Sequence, residues 1–347
     1  MSIHRLCKHL MVGLISTLTL LSGAAQAETI LRVASWAPPS HPQNSVVIPT
    51  WAEWVQEATD GRVKVVVDYD LGHPKTMFDI VEDGVADASW SYHGYVPGRF
   101  ILPMAVELPG LGADAEAASV ALWRTYNKEF ASAGEFAGLT LLGMFTHGPG
   151  QLHTRTPVTS WDQLEGKKIR VGGGVQSELA SRMGITPVSA PASKVYEMMQ
   201  QGVIDGVFLT LSDQKGFRLF EVAPHVTVVP NGMYLGSFSM FINPDFLESL
   251  EPRDAEAIMK VSGEKLSAMA GRAWETADEE GLATAKQEGV KVNVLSETDP
   301  MTTSFHDLIQ GMDEAWIQKA SERGIDARAA LEELRKTARE YTSSTQE

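Results

Sequence analysis

Short apolar strand segments alternate with helical segments along most of the chain, and this alternation restricts the fold more than any other feature. Residues 29–34 (TILRVA) and 63–69 (VKVVVDY) have the alternation of half-buried strands, and 49–58 between them have helical spacing. A second strand and helix series runs over 168–209 and begins with the strand KIRV. Two such series in one chain predict an α/β fold.

The longest helical stretch lies late in the chain. Residues 252–288 are rich in Ala, Glu, Lys and Met over more than thirty positions, and their only breaks are Gly263, Gly271 and Gly281. A helix of that length can bridge two domains. A further helical pair is predicted over 301–339.

Residues 1–27 have the composition of a cleavable export signal. Basic residues within 4–8 precede the apolar stretch 10–21 (LMVGLISTLTLL), and the small residues of 25–27 (AQA) follow it. The apolar stretch is too short to cross the roughly 30 Å hydrocarbon core of a bilayer as a helix. We predict cleavage before Glu28 and a mature protein that is exported to the periplasm, soluble and not embedded in the membrane.

Composition excludes several classes of function. The single cysteine, Cys7, lies in the predicted signal, so the mature chain has no thiol for catalysis, zinc binding or a disulfide. The formal net charge of -15 disfavours nucleic acid as a partner. The chain has no G-x-S-x-G, H-E-x-x-H or P-loop motif, which lowers the expectation of an enzyme, and no cofactor is predicted.

Aromatic side chains cluster at the end of one predicted strand. The strand over 86–91 (ADASWS) is followed by Tyr92, His93 and Tyr95, and it carries Trp90 near its end. Ligands of open α/β sheets bind outside the carboxyl ends of the strands, so these rings are candidates for a binding site. The alternative is that they pack the edge of the domain.

Arg170 interrupts the apolar strand KIRV immediately before Gly172-Gly173-Gly174. A guanidinium at that position can hold a carboxylate through two hydrogen bonds, and the glycines leave room for the ligand. A salt bridge is the alternative. His147 and His153 have no acidic neighbour and no helical ligand spacing, so hydrogen bonding at a pocket edge is favoured over a metal site.

The segment 164–171 (LEGKKIRV) resembles the solute-binding subunits of tripartite ATP-independent periplasmic (TRAP) transporters, in which an L-x-G-x-K-I-R-V segment carries the arginine that binds a substrate carboxylate. Segments 84–87 (GVAD), 202–206 (GVIDG) and 241–250 (FINPDFLESL) are similar to the same family, and the set covers nearly all of the mature chain. The resemblance places Arg170 at the family arginine.

The resemblance implies a two-lobed α/β periplasmic binding protein with a long helix spanning both lobes. One small molecule would be captured by closure of the interlobe cleft and delivered to a membrane permease, with no enzymatic step. On this basis we assign 28–147 and about 236–275 to lobe I, and 148–235 and about 276–340 to lobe II.

The chain departs from the family pattern at two positions. Many carboxylate-binding members have a second arginine where this chain has 148–153 (GPGQLH), and a polar pair with asparagine where it has 207–210 (VFLT). The candidate cleft instead has aromatic rings and histidines, namely Trp36, Trp90, Tyr92, His93, His147, His153, Phe208 and Tyr234. These rings with one arginine favour a monocarboxylate with an apolar or cationic remainder over a C4-dicarboxylate.

Three alternatives stay open at this point. In the first, the solute is a small amine, whose positive charge pairs with Glu107 or Asp213 and lies over an aromatic ring. A secreted α/β hydrolase or isomerase would use His147 or His93 as its base. A sensory protein would report the solute to a membrane receptor without transporting it.

Overall fold

The computed structural model describes residues 28–69 and 71–345, so the predicted signal peptide lies outside the described residues. The strands are β1 (Thr29–Ser35), β2 (Val63–Tyr69), β3 (Ala88–Tyr92), β4 (Thr140–Thr146), β5 (Gln151–Thr154), β6 (Lys168–Val171), β7 (Thr186–Ser189), β8 (Gly206–Leu209), β9 (His225–Val228), β10 (Ser237–Ile242) and β11 (Lys291–Val294). The helices are α1 (Ile48–Ala58), α2 (Met77–Glu82), α3 (Ala115–Thr125), α4 (Val175–Arg182), α5 (Val195–Gln200), α6 (Asp213–Gly216), α7 (Pro244–Ser249), α8 (Pro252–Lys260), α9 (Glu264–Gln287), α10 (Pro300–Leu308), α11 (Met312–Ser321) and α12 (Ala327–Thr345).

Lobe I is built on a five-stranded sheet with the order β2-β1-β3-β10-β4. Strand β1 is parallel to β2 and β3, whereas β10 is antiparallel to β3 and β4. Leu31 and Val33 of β1 are fully buried, as the sequence alternation predicts for the inner face of a strand. Because β10 enters from late in the chain, lobe I contains two separate stretches of sequence.

Lobe II is built on a six-stranded sheet with the order β11-β9-β5-β8-β6-β7. Strand β6 is parallel to β7 and β8, and β5 is antiparallel to β8 and β9. The chain crosses between the sheets from β4 to β5, from β9 to β10, and along α9 to β11. The two sheets establish the predicted two-lobed α/β architecture.

Helix α9 joins the lobes. It packs against α3 and β4 of lobe I and against α6 and β11 of lobe II. Gly271 lies against the backbone of Ala115 in lobe I, and Gly281 lies against the backbone of Leu211 in lobe II, so a Cβ at either position would collide with main-chain atoms. The third glycine, Gly263, has a φ of 70° and separates α8 from α9, so the predicted helical stretch is two helices.

The C-terminal helices depart from the predicted division of the chain. Helix α10 packs on lobe II, where Trp161 Nε1 donates to Met301 O at 2.7 Å. Helix α12 instead packs against α3 of lobe I, and Trp316 Nε1 on α11 donates to Ile101 O at 2.8 Å. The assignment of 276–340 to lobe II is therefore wrong for α11 and α12, because the apolar face of α12 finds its buried partner on α3. None of the described helices has both the length and the apolar character needed to cross a membrane.

Candidate ligand-binding site

A cavity of about 30 Å³ lies between the two lobes. Many of its lining residues come from the carboxyl ends of strands or directly follow them, which is where α/β sheets present binding groups. The lining residues are Trp36, His41, Tyr92, Tyr95, His147, Arg170, Gln176, Ala192, Leu209, Asp213, Phe217, Phe238 and Trp274.

Arg170 brings a buried positive charge to this cavity. Its side chain is 2% exposed, and its Nε donates to the carbonyl oxygen of Ala190 at 2.7 Å. Nη1 donates to Phe208 O at 3.2 Å and Nη2 to Tyr95 Oη at 3.4 Å. No described carboxylate lies within 4.0 Å of the guanidinium. A buried charge without a counter-ion is costly, so this guanidinium is a candidate for binding an anion.

The opposite side of the cavity is aromatic. Trp36 and Tyr92 line it, and the Trp36 ring packs at 5.8 Å from Tyr95 in an edge-on arrangement. Trp90 lies behind this layer, with its ring centroid 4.4 Å from Trp36 and its Nε1 donating to Ser35 Oγ at 2.9 Å. Of the aromatic candidates on these two strands, Trp36 and Tyr92 therefore reach the cavity, and Trp90 supports them from the core.

Glu107 connects the lobes and does not line the cavity. Its Oε1 accepts from the backbone N and the Oγ of Ser237, at 3.1 and 2.7 Å. Oε2 accepts from Tyr92 Oη at 3.1 Å and from Val175 N, at the start of α4 in lobe II, at 3.2 Å. Burial raises the pKa of Glu107 to about 7. The four hydrogen bonds occupy both carboxylate oxygens.

Two further buried acids hold the turn before α6. Asp213 lines the cavity, and its Oδ2 accepts from the backbone N and the Oγ1 of Thr210, both at 3.0 Å. Burial raises the pKa of Asp213 to about 6, while the Thr210 bonds and the charge of Arg170 oppose this rise. Asp278 on α9 accepts from Ser212 N at 2.7 Å, and burial raises its pKa to about 7.

One of the predicted histidines lines the cavity. His147 packs beside Trp274 with ring centroids 5.9 Å apart. Its Nδ1 lies 2.6 Å from the carbonyl oxygen of Gly148 and 3.3 Å from the backbone N of Gly236, and the shorter contact favours the tautomer with the proton on Nδ1. Burial lowers the pKa of His147 to about 4, so the ring is neutral at pH 7.

The other two histidines lie outside the lining. Each ring nitrogen of His93 lies 3.0 Å from a serine hydroxyl on β10 inside lobe I. His153 lies behind β8, with Nε2 at 3.1 Å from Leu209 O and Nδ1 at 2.8 Å from Gln214 Nε2. No group of three His, Cys, Asp or Glu side chains among the described residues is placed to hold a metal ion.

Phe208 and Tyr234 are buried next to the cavity without lining it. Their rings lie 6.4 Å apart, and Tyr234 also packs edge-on against His147 at 5.5 Å. The carbonyl oxygen of Phe208 accepts from Arg170, so this residue acts on the site through its backbone.

Comparison with known proteins identifies the family. Residues 33–319 match the family model DctP, described as bacterial extracellular solute-binding protein, family 7. The chain belongs to this family. The resemblance to TRAP solute-binding subunits is therefore confirmed, and with it the two-lobed fold and the function of binding a small organic solute. Family 7 proteins of TRAP systems work with a membrane permease.

Two solved structures and one sequence relative define the similarity. A TRAP periplasmic solute-binding protein from Bordetella bronchiseptica with bound (R)- and (S)-mandelate is 34% identical, with a TM-score of 0.87 over 90% of this chain and 99% of that chain. A marine metagenome TRAP protein specific for aromatic acid ligands, in complex with 3-hydroxybenzoate, is 29% identical, with a TM-score of 0.84 over 91% and 99%. The outer membrane transporter protein TsaT of Comamonas testosteroni is 31% identical over 96% of this chain and 97% of its own.

Several residues that line the cavity of this family 7 protein are not among the candidates predicted from its sequence. Tyr95 is one of the strand-end rings but is outside the set assigned to the cleft, and the other lining residues outside that set are His41, Gln176, Ala192, Leu209, Phe217, Phe238 and Trp274. Phe238 lies in strand β10, whose six residues are all buried, so periodicity does not tell which face meets the cavity. One sequence feature could have indicated Trp274 as a site residue, because it is the only aromatic residue of α9.

Proposed function

We propose that this protein captures an aromatic monocarboxylate in the periplasm and delivers it unchanged to a TRAP permease. The observation that carries the proposal is the buried Arg170 guanidinium, which meets no described carboxylate and lines a cavity walled by aromatic rings. A carboxylate would supply the missing counter-ion, and an aromatic ring would pack against Trp36, Tyr92 and Phe238. The mandelate and 3-hydroxybenzoate complexes of similar proteins support this solute class.

The positions of the acids argue against an amine as the solute. Both oxygens of Glu107 are occupied by four hydrogen bonds, and Asp213 accepts two from Thr210. An amine would also lie in the same small cavity as the positive charge of Arg170, which repels it.

The histidine environments support binding without turnover. His93 contacts two serine hydroxyls inside lobe I, and His147 uses Nδ1 at the backbone of Gly148. Neither ring is oriented by a described carboxylate, which a histidine base of the triad type uses. The export signal predicted for 1–27 and the extracellular description of the family support the periplasmic location.

Calorimetric titration of the mature protein with benzoate and with benzylamine tests the proposal. The two compounds share the ring and differ in the sign of their charge. We expect benzoate to bind and benzylamine not to bind, and mass spectrometry should recover the benzoate chemically intact. Binding of benzylamine in preference to benzoate, or conversion of the bound acid, would overturn the proposal.

A further inference from the structure

One residue that lines the cavity has an unused hydrogen-bond donor. The indole Nε1 of Trp274 is buried and has no hydrogen-bond partner among the described residues. Other buried side-chain atoms share this property, on Gln43, Thr125, Gln214 and Tyr234, but none of those residues lines the cavity. A buried donor without a partner is costly, so an unpaired N–H in a cavity is expected to bond to a ligand atom.

A second donor lies beside it. His41 Nδ1 accepts from Gln43 N at 3.2 Å, which assigns the ring proton of the neutral imidazole to Nε2. Burial lowers the pKa of His41 to about 3, so the ring is neutral at pH 7. No described acceptor bonds to Nε2. The His41 and Trp274 rings are edge-on with centroids 4.9 Å apart, so the two N–H groups belong to adjoining parts of the lining.

The described contacts of these two donors differ from those of Arg170. The ring neighbours of Trp274 are His41, His147 and Phe238, whereas Arg170 bonds to Tyr95 and to two backbone carbonyls. No described hydrogen bond or ring contact joins Arg170 to Trp274 or His41, so we assign the two sets of donors to two different polar groups of the solute.

The charge of the surroundings restricts that second atom. Asp213 lines the same cavity, and Asp278 follows Trp274 by four residues on α9 and is buried on the same side of the helix. Two acids near a pair of neutral donors disfavour a second anionic group, whereas an uncharged oxygen accepts from N–H without that repulsion.

We infer that the solute carries an uncharged oxygen acceptor in addition to its carboxylate, and that the N–H groups of Trp274 and His41 select for it. The chemical class is an aromatic acid with a hydroxyl, ether or carbonyl oxygen on the ring or on the side chain. This inference rests on the proposed function and narrows it.

The experiment compares matched acids that differ by one hydroxyl. The pairs are benzoate with 3-hydroxybenzoate and phenylacetate with mandelate, and the readout is the ratio of the two Kd values within each pair, measured by calorimetry. In the wild-type protein we expect at least one pair to favour the hydroxylated acid by about tenfold, the size of one buried hydrogen bond. Trp274→Phe keeps an aromatic ring and removes the N–H, so the ratio should fall to near one.

Trp36→Phe is the matched control. Trp36 also lines the cavity, but its Nε1 already donates to Trp90 O at 3.1 Å, so its loss should weaken both members of a pair and keep their ratio. His41→Phe is the second test variant, and thermal unfolding establishes that each variant is folded.

The outcomes separate this inference from the proposed function. A ratio near one for both pairs in the wild-type protein overturns the inference, and so does a wild-type ratio that persists in Trp274→Phe and His41→Phe. In either case benzoate binding that depends on Arg170 would leave the proposed function standing. Failure of all four acids to bind would overturn both.

Discussion

The two walls of the cavity differ in chemistry. Lobe I supplies aromatic rings, among them Trp36, Tyr92 and Phe238. Lobe II supplies the charged groups of Arg170 and Asp213 and the amide group of Gln176. Rings recognise a flat apolar surface through area and stacking, and a guanidinium recognises a carboxylate through charge and paired hydrogen bonds. Under the proposed function each lobe binds a different part of the solute, and neither lobe alone supplies the whole cavity lining.

Hydrogen bonds between the walls couple recognition to closure. Tyr95 Oη of lobe I accepts from Ala192 N of lobe II at 2.9 Å and from Arg170 at 3.4 Å. Glu107 of lobe I accepts from Val175 N of lobe II at 3.2 Å. These bonds can form only when the two lobes are in contact, so they stabilise the closed state. The solute then has to supply less binding free energy to keep the cleft closed.

Removing the charge from the lobe II wall should have the largest effect. Arg170→Gln eliminates the guanidinium and leaves a bound carboxylate buried without a counter-ion, which weakens benzoate binding by at least about 100-fold. Calorimetry measures the change, and Arg218→Gln is the control, because Arg218 is exposed on lobe II and pairs with Glu221. Unchanged affinity in Arg170→Gln would show that the anion binds elsewhere.

Cutting the link between the walls should have a smaller effect. Tyr95→Phe keeps the ring and removes the oxygen that bonds to Ala192 N and Arg170, so the closed state loses stability and affinity falls by about tenfold. Small-angle scattering should show a larger radius of gyration at equal benzoate concentration. Tyr196→Phe is the control, since Tyr196 is half-buried away from the cavity and bonds to Glu221 within lobe II. Equal affinity in the two variants would contradict the role of Tyr95.

Weakening the aromatic wall should change selectivity by a few-fold. Phe238 packs against Trp90, Tyr92, Phe145, His147 and Trp274 at ring distances of 5.2 to 6.0 Å. Phe238→Leu retains apolar volume and loses the ring, so the preference for benzoate over cyclohexanecarboxylate should fall by roughly two- to tenfold. Competition calorimetry measures this preference, and an unchanged preference would place the stacking on other rings.

The smallest effect is expected in the pH dependence of stability. The pKa of Glu107 is raised by burial from 4.5 to about 7, so between these pH values the folded protein binds more protons than the unfolded chain. This group therefore stabilises the fold fully below pH 4.5, and its contribution is lost as the pH rises toward 7.

Glu107→Gln removes this titration and leaves those of the other buried groups. The difference in unfolding free energy between the wild type and the variant should fall as the pH rises from 4.5 to 7. The slope of this fall should correspond to the uptake of less than one proton. Denaturant unfolding at several pH values measures it. Parallel curves for the two proteins would show that Glu107 titrates normally.

Much of this fold follows from local patterns in the chain. The alternation in 29–34 and 63–69 and the apolar strand with Arg170 correspond to β1, β2 and β6. Five of the eleven candidate ligand-binding residues line the cavity, namely Trp36, Tyr92, His147, Arg170 and Asp213. Their binding roles stay predictions until a solute is measured. They were found because they lie on or near strand ends, where chain order indicates the edge of a sheet.

The sequence by itself determined several strands, among them β1, β2, β3 and β6, the long helical stretch late in the chain, the family, and the presence of one arginine on a strand at the cleft. Tertiary structure alone decided that α12 packs on lobe I, that Glu107 bonds across the lobes, and that Trp274 and His41 meet at the cavity. The physical reason is the range of the interactions. Strand and helix formation depends on neighbours within a few residues, whereas burial of His41 against Trp274 depends on two segments 233 positions apart being brought together by packing.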